Sequence, residues 1–97
     1  MAAIEILTFQ LAAHSAEAAF LAADRRLQTE VMYHQPGLLR RTTARDQDGG
    51  WIVIAHWGSA ADAERAARLV ASESATSEFD ALLDATSVTR RHYETLD

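Results

Sequence analysis

Several residue types are missing from the 97-residue sequence, and their absence excludes whole classes of site. Cys does not occur, which rules out disulfides, thiolate metal sites and thiol nucleophiles. Lys and Asn do not occur either, and all nine basic residues are Arg. Because Asp and Glu outnumber them, the formal net charge is −5, whereas nucleic-acid binding needs a basic surface that displaces counterions. We therefore predict no nucleic-acid partner.

Long apolar runs are also missing. None approaches the roughly 18 residues of a membrane span, and Met1–Glu5 lacks the basic start of a signal peptide. We therefore expect no membrane association and a cytoplasmic location. Hydrophobic residues make up 48% and charged residues 24% of the chain, as in globular proteins. The length predicts one domain, residues 1–97.

The first three predicted strands are Ile4–Leu11, Leu38–Arg45 and Trp51–Trp57, and the turn residues Asp46–Gly50 predict a hairpin between the last two. The first and third strands carry apolar residues on both faces, which indicates that both sides of the sheet are covered. In the third strand, one face is formed by Trp51, Val53, Ala55 and Trp57 and the other by Ile52, Ile54 and His56.

The first helix is predicted from Ala16 to about His34, with Ser15 as its N-cap and Pro36-Gly37 as its end. Residues three and four apart form an apolar stripe typical of an amphipathic helix. The stripe consists of Phe20, Ala23, Leu27, Val31 and His34.

The second half of the chain predicts two further helices and a last strand. Ser59 and Asp62 form a capping box before a helix whose buried side comprises Ala63, Ala66, Ala67 and Val70. A short helix follows, with Phe79, Leu82 and Leu83 as its apolar side, and the last strand runs from Thr86 to Thr95.

The element order βαββαβ predicts an α+β, ferredoxin-like fold, a four-stranded antiparallel sheet with helices on one face. Since the helices cover only one face, the apolar face opposite them needs a partner. We expect a second copy of the chain, bound as a homodimer with Ile52, Ile54 and His56 at the interface.

The segment His56-Trp57-Gly58-Ser59-Ala60-Ala61-Asp62-Ala63 resembles the strand-to-helix junction of the dimeric α/β-barrel superfamily, and within it the antibiotic-biosynthesis-monooxygenase group. Pro36-Gly37-Leu38 is similar to the helix-to-strand turn of that group, and Phe79-Asp80-Ala81-Leu82 to its terminal short helix. The resemblance implies a homodimer whose two sheets close into a barrel, with a cavity between each sheet and its helices.

Members of the group include cofactor-free monooxygenases that act on polycyclic aromatic compounds and haem-degrading enzymes, and Trp57 matches the Trp of their pocket. Two departures separate this chain from particular members. The haem-degrading branch uses an Asn, which is absent here, and the position of a His on the second helix is occupied by Ala67 or Arg68. We therefore expect no cofactor.

A ligand pocket, if present, is predicted between the sheet and the helices, with Trp57 as one wall. The small side chain of Ala55 leaves room there. The remaining predicted lining residues are Leu27, Val31 and His34 on the first helix, and Phe79 and Leu83 near the short helix. Such a lining suits a small hydrophobic molecule oriented by one hydrogen bond.

His34 is the candidate general acid or base, because Glu30 lies one helical turn away. The alternative interpretation is structural, since an imidazole in the last turn complements the helix dipole. Glu30 and His34 also have the spacing of two metal ligands, but no third ligand accompanies them, and we predict no metal site.

Arg40, Arg41, Arg90 and Arg91 lie on the two predicted edge strands. Charge on an edge strand prevents unwanted strand pairing, and an anion-binding role for one pair is the alternative.

Two functions remain open. The first is an enzyme, a cofactor-independent monooxygenase or an isomerase acting on a hydrophobic or aromatic compound. The second is a non-catalytic homodimer that binds a ligand or another protein. A cavity of about 300 Å³ or more with two or three convergent polar groups would favour the enzyme.

Overall fold

The computed structural model describes residues 1–97. Its elements are β1 (Ala3–Phe9), α1 (Glu17–Glu30), β2 (Leu38–Arg45), β3 (Trp51–Trp57), α2 (Ala60–Val70), α3 (Ser74–Ala81) and β4 (Thr89–Glu94). All strand pairs are antiparallel, and the strand order is β2-β3-β1-β4. The predicted ferredoxin-like fold is confirmed, with β2 and β4 as the edge strands.

The alternation of side chains along β3 decides which face of the sheet is covered. Trp51, Val53, Ala55 and Trp57 are all buried under the helices. Ile52, Ile54 and His56 are only half-buried, because no helix packs on their side. The face assignment predicted for this strand is therefore confirmed.

Two separate hydrophobic clusters fill the layer between the sheet and the helices. The larger is built around aromatic rings, with the Phe20 ring centroid 4.8 Å from that of Trp51 and 5.3 Å from that of Phe79. The smaller contains Trp57 and three alanines, Ala3, Ala55 and Ala66. The second cluster therefore has only one large side chain, that of Trp57.

The first helix is shorter than the sequence predicted at both ends. Its N-cap is Ala16, not Ser15, because the Ser15 amide donates to the carbonyl of Ala12 in a preceding turn. At the other end the backbone leaves α-helical geometry at Val31, and Met32–His34 form a separate 3₁₀ turn.

The boundaries of the outer strands also differ from the prediction. The strand β1 ends at Phe9, and beyond it Leu11 makes only an isolated bridge to Leu83. The 3₁₀ turn Ala85–Ser87 delays the start of β4 to Thr89.

The turn before β2 and the start of α2 pack against each other. Gly37 has a φ of 88°, and a Cβ there would overlap the carboxylate of Asp62, so the position requires glycine. The Ser59 hydroxyl accepts a hydrogen bond of 3.1 Å from the Asp62 amide, which confirms the predicted N-cap. The Asp62 side chain does not complete the box, because it contacts Arg65 instead.

The longest helix, α1, has 14 residues, and no helix of the chain has the length and apolar character needed to span a bilayer.

Candidate functional site: a cavity between the sheet and the helices

A cavity of about 400 Å³ lies in the layer between the sheet and α2. Its floor includes Leu7 of β1 and Val53, Ala55 and Trp57 of β3. Its roof includes Ala63, Ala66, Ala67 and Val70 of α2. Members of both hydrophobic clusters line it, so the cavity lies between them.

Small side chains on the floor and the roof keep this space open. The sequence predicted that the apolar side of α2 would be buried, yet only Ala66 is. Ala63 and Val70 are half-buried and pack against the core, whereas Ala67 is exposed. The prediction of burial was therefore wrong for Ala67, and all three residues line the cavity.

Trp57 forms the wall at the C-terminal end of β3. Its side chain is 1% exposed, and its indole Nε1–H is buried without an acceptor anywhere in the chain. A buried donor left unpaired costs about 1–3 kcal/mol. The hydroxyl of Thr76, another residue of the cavity lining, is also buried without a partner. Two residues of the cavity lining therefore carry a buried polar atom without a partner.

Arg41 of β2 is the only buried cation that lines the cavity. Its guanidinium carbon lies 5.9 Å from the centroid of the Phe79 ring. Its Nη2 lies 2.8 Å from Oδ1 of Asp24, and its Nη1 donates to Gln28 at 3.2 Å. The Asp24 contact is short but poorly aligned as a hydrogen bond, so the attraction is mainly between the two charges. Arg41 was predicted to be an edge-strand surface charge, and that interpretation is wrong, because its side chain points to the helix-covered face.

Ionisable side chains surround the open end of the cavity, between β4 and α3. They are Glu5 of β1, Arg90 and His92 of β4, and Asp80 of α3. His92 Nε2 lies 3.0 Å from Oε2 of Glu5. Burial raises the pKa of the Asp80 carboxyl, and the positive charge of Arg90 partly opposes this rise. The inside of the cavity is thus lined mainly by apolar side chains, and its opening by ionisable ones.

Three of the six predicted pocket residues, Trp57, Leu27 and Phe79, line the cavity. Val31 and Leu83 are buried, but in the adjacent aromatic cluster and not at the cavity wall.

His34 is exposed and does not line the cavity. Its predicted position was wrong, because α1 ends before it and the 3₁₀ turn directs it to the surface. Glu30 is not its partner either, since Glu30 accepts a 2.7 Å hydrogen bond from Arg26. Its place at the cavity wall near the end of α1 is taken by Met32.

The residues predicted for a dimer interface share the helix-free face of the sheet. Ile52, Ile54 and His56 are each half-buried there. Ile54 is paired with Ile6 of β1, and His56 with Ile4, so four isoleucines lie together at the centre of this face.

Sequence reasoning missed the polar third of the cavity lining, which comprises Glu5, Arg41, Thr76, Asp80, Arg90 and His92. The signal that could have found most of them is strand alternation. Glu5, Leu7 and Phe9 are every second residue of β1, so their side chains lie on the same face of the sheet. Likewise, Arg90 and His92 are paired with Leu7 and Glu5 across the sheet, which places them on the helix-covered face.

No group of three or more His, Asp or Glu side chains is arranged to hold a metal ion.

No family model and no curated protein matches the sequence. Several solved structures have a similar fold. SnoaB, a cofactor-independent oxygenase from Streptomyces nogalater, is 21% identical, with a TM-score of 0.79 over 99% of this chain and 94% of that chain. An antibiotic biosynthesis monooxygenase is 19% identical, with a TM-score of 0.74 over the full length of both chains. A conserved protein from Methanosarcina mazei Go1 is 11% identical, with a TM-score of 0.81 over 98% of this chain and 93% of that chain.

These identities are low, so the similarity establishes the architecture and not a shared reaction. The strand order, and superpositions that cover nearly all of both chains, agree with the family resemblance found in the residues around Trp57. The chain therefore has the ferredoxin-like fold of the antibiotic-biosynthesis-monooxygenase group.

Proposed function

We propose that the cavity binds a small, largely aromatic molecule that carries an oxygen acceptor. The observation that carries this proposal is the Trp57 Nε1–H, which is buried at the wall of an apolar cavity without an acceptor. A carbonyl or phenolic oxygen would satisfy that donor, and ring carbons would contact the alanines of α2. A volume of about 400 Å³ lies in the range of small-molecule sites.

The proposed reaction is oxygenation of this molecule without a cofactor. SnoaB, which shares the fold, is a cofactor-independent oxygenase. In such chemistry the ligand itself supplies the electrons. An aromatic C–H carbon becomes a carbonyl, one atom of dioxygen enters the product, and the other leaves as water. Ionisable groups at the cavity opening could move the protons that this conversion releases.

A titration of intrinsic fluorescence tests the binding step, with 9-fluorenone and fluorene as a matched pair that differs in one carbonyl. We expect fluorenone to bind about two- to tenfold more tightly, as for one net hydrogen bond. In Trp57→Phe the difference should vanish, and equilibrium dialysis measures binding there because Trp51 lies outside the cavity lining. Equal affinities of the unaltered protein for fluorenone and fluorene would show that Trp57 donates no hydrogen bond to the ligand.

An oxygen electrode tests the chemical step. The protein is incubated with 1-naphthol and a metal chelator, and no flavin, haem or nicotinamide is added. Oxidation to 1,4-naphthoquinone consumes one dioxygen and releases one water for each naphthol. Saturable binding without enzyme-dependent oxygen uptake would favour the alternative function, a non-catalytic ligand-binding module.

We also propose that two copies associate through the helix-free face. Ile4 and Ile6 of β1 join Ile52 and Ile54 of β3 there, and Tyr93 of β4, 47% exposed, adds an aromatic ring beside Ile4. Contiguous apolar surface of this kind is typical of an interface. A second copy is the simplest partner, because a two-fold axis brings the same apolar surface to both sides.

A further inference from the structure

A histidine–carboxylate pair lies on the cavity wall and has no role in the packing of the core. Glu5 and His92 are direct cross-strand neighbours on β1 and β4. The Nε2 of His92 lies 3.0 Å from Oε2 of Glu5, and both residues line the cavity. This geometry is that of a base oriented by a carboxylate.

The position of Glu5 is not explained by the fold. It is on a central strand, on the helix-covered face, between the buried residues Ala3 and Leu7. Its side chain is only 21% exposed, and a carboxylate in such a place loses hydration that an apolar residue would not need. The contact with His92 is the one side-chain interaction that Glu5 makes. Packing of the core therefore does not account for a carboxylate at this position.

We propose that His92 is the general base that deprotonates a phenolic or enolic hydroxyl of the ligand, and that Glu5 is its positioning residue. This inference rests on the proposed binding of an oxygen-bearing aromatic molecule. The Glu5 carboxylate favours the tautomer with a proton on Nε2, which leaves Nδ1 as the acceptor. The ligand O–H bond breaks and an N–H bond forms at Nδ1. The products are a ligand oxyanion and an imidazolium paired with Glu5.

The exposure of His92 suits this role. Its side chain is 63% exposed, so the imidazolium can pass its proton to water and return to the neutral form. A base sealed in the core would keep the proton.

The neighbouring charges favour the anionic form of the ligand. Arg90 lies two residues before His92 on the same face of β4, and its positive charge is available to the oxyanion. From α3, the Asp80 carboxyl faces the same opening; burial raises its pKa, and the positive charge of Arg90 opposes the rise. Arg41 of β2 contributes little to the stabilisation of an anion, because its charge is paired with that of Asp24.

The test measures ionisation of a bound phenol directly, with 4-nitrophenol as the probe, since only its phenolate is yellow. Fluorescence quenching gives the bound fraction and absorbance gives the ionised fraction. At a fixed pH below the midpoint of the free probe, we expect the ratio of phenolate to phenol to rise at least about tenfold on binding, as a nearby positive charge produces.

His92→Gln should bind the probe but raise that ratio less than about twofold, because an amide cannot accept the proton. Glu5→Gln, which keeps the imidazole, should give an intermediate ratio. His34→Gln, a surface histidine outside the cavity, should behave like the unaltered protein. An undiminished ratio in His92→Gln overturns this inference and leaves the proposed function standing. Failure of the unaltered protein to bind the probe would overturn both.

Discussion

Arg41 of β2 and Asp24 of α1 form an ion pair across the helix-covered face of the sheet. Nη2 lies 2.8 Å from Oδ1, and the two side chains are only 4% and 11% exposed. The pair joins an edge strand to the first helix beside the cavity, and the guanidinium also covers the Phe79 ring. Because water is nearly excluded, each charge depends on the other.

Removal of one partner should therefore destabilise the fold. For Asp24→Asn we expect a loss of about 3–5 kcal/mol in the free energy of unfolding, since an uncompensated guanidinium would remain buried. Urea unfolding followed by circular dichroism measures it. The matched control is Glu17→Gln, which breaks the exposed pair with Arg45 and should cost no more than about 1 kcal/mol. Equal losses in the two variants would contradict this account.

Filling the cavity should abolish ligand binding and spare the fold. Ala67 lines the cavity but is itself exposed, so Ala67→Leu can occupy that space without overpacking the core. We expect affinity for 9-fluorenone to fall at least about tenfold while the melting temperature stays within about 3 °C of the unaltered protein. Ala61→Leu, an exposed position of α2 outside the cavity lining, is the control. Unchanged affinity in Ala67→Leu would mean that the ligand binds elsewhere.

The electrostatics of the cavity opening predict a pH dependence. Burial raises the pKa of Asp80 above its ordinary value of 3.8, and Arg90 opposes the rise. The folded chain therefore holds this proton more tightly than the unfolded chain. The resulting stabilisation is complete below pH 3.8 and is lost as the pH rises through the folded-state pKa.

Two measurements check this account of Asp80. The stability of Asp80→Asn relative to the unaltered protein should increase between acid and neutral pH, because the amide never ionises. In carboxyl NMR titrations, Arg90→Gln should raise the pKa of Asp80 further. Arg91→Gln, on the opposite face of β4, should leave it unchanged. A lower pKa of Asp80 in Arg90→Gln would contradict the conclusion that the charge of Arg90 lowers this pKa.

The architecture was predictable because strand alternation is a local property. Successive residues of Trp51–Trp57 point to opposite faces of the sheet whatever surrounds them. The hairpin before this strand makes β2 its neighbour. Helix ends were less predictable. The apolar spacing continues through Val31 to His34, so no sequence signal marks the break at Val31.

The cavity was predictable in position but not in composition. Trp57 and the small Ala55 indicated the correct layer, and both belong to the strand with the clearest pattern. The polar lining depends on tertiary geometry, because Glu5 and His92 are 87 residues apart and meet only when β1 and β4 pair. The error at His34 has a different origin, since the helical spacing in the sequence continues past the real end of the helix.

Assembly through the helix-free face gives the last prediction. The unaltered chain should scatter light as a species of about 21 kDa, twice the chain mass of 10.7 kDa. Ile54 is central to that face, paired with Ile6 on one side and Thr42 on the other. Ile54→Asp would bury an unpaired charge between two subunits, so no folded 21 kDa species should remain. Leu69→Asp is the control, because Leu69 is 55% exposed on α2, and this variant should stay dimeric. A folded 10.7 kDa species from the unaltered chain at micromolar concentration would refute the dimer, and a dimeric Ile54→Asp variant would move the interface to another surface.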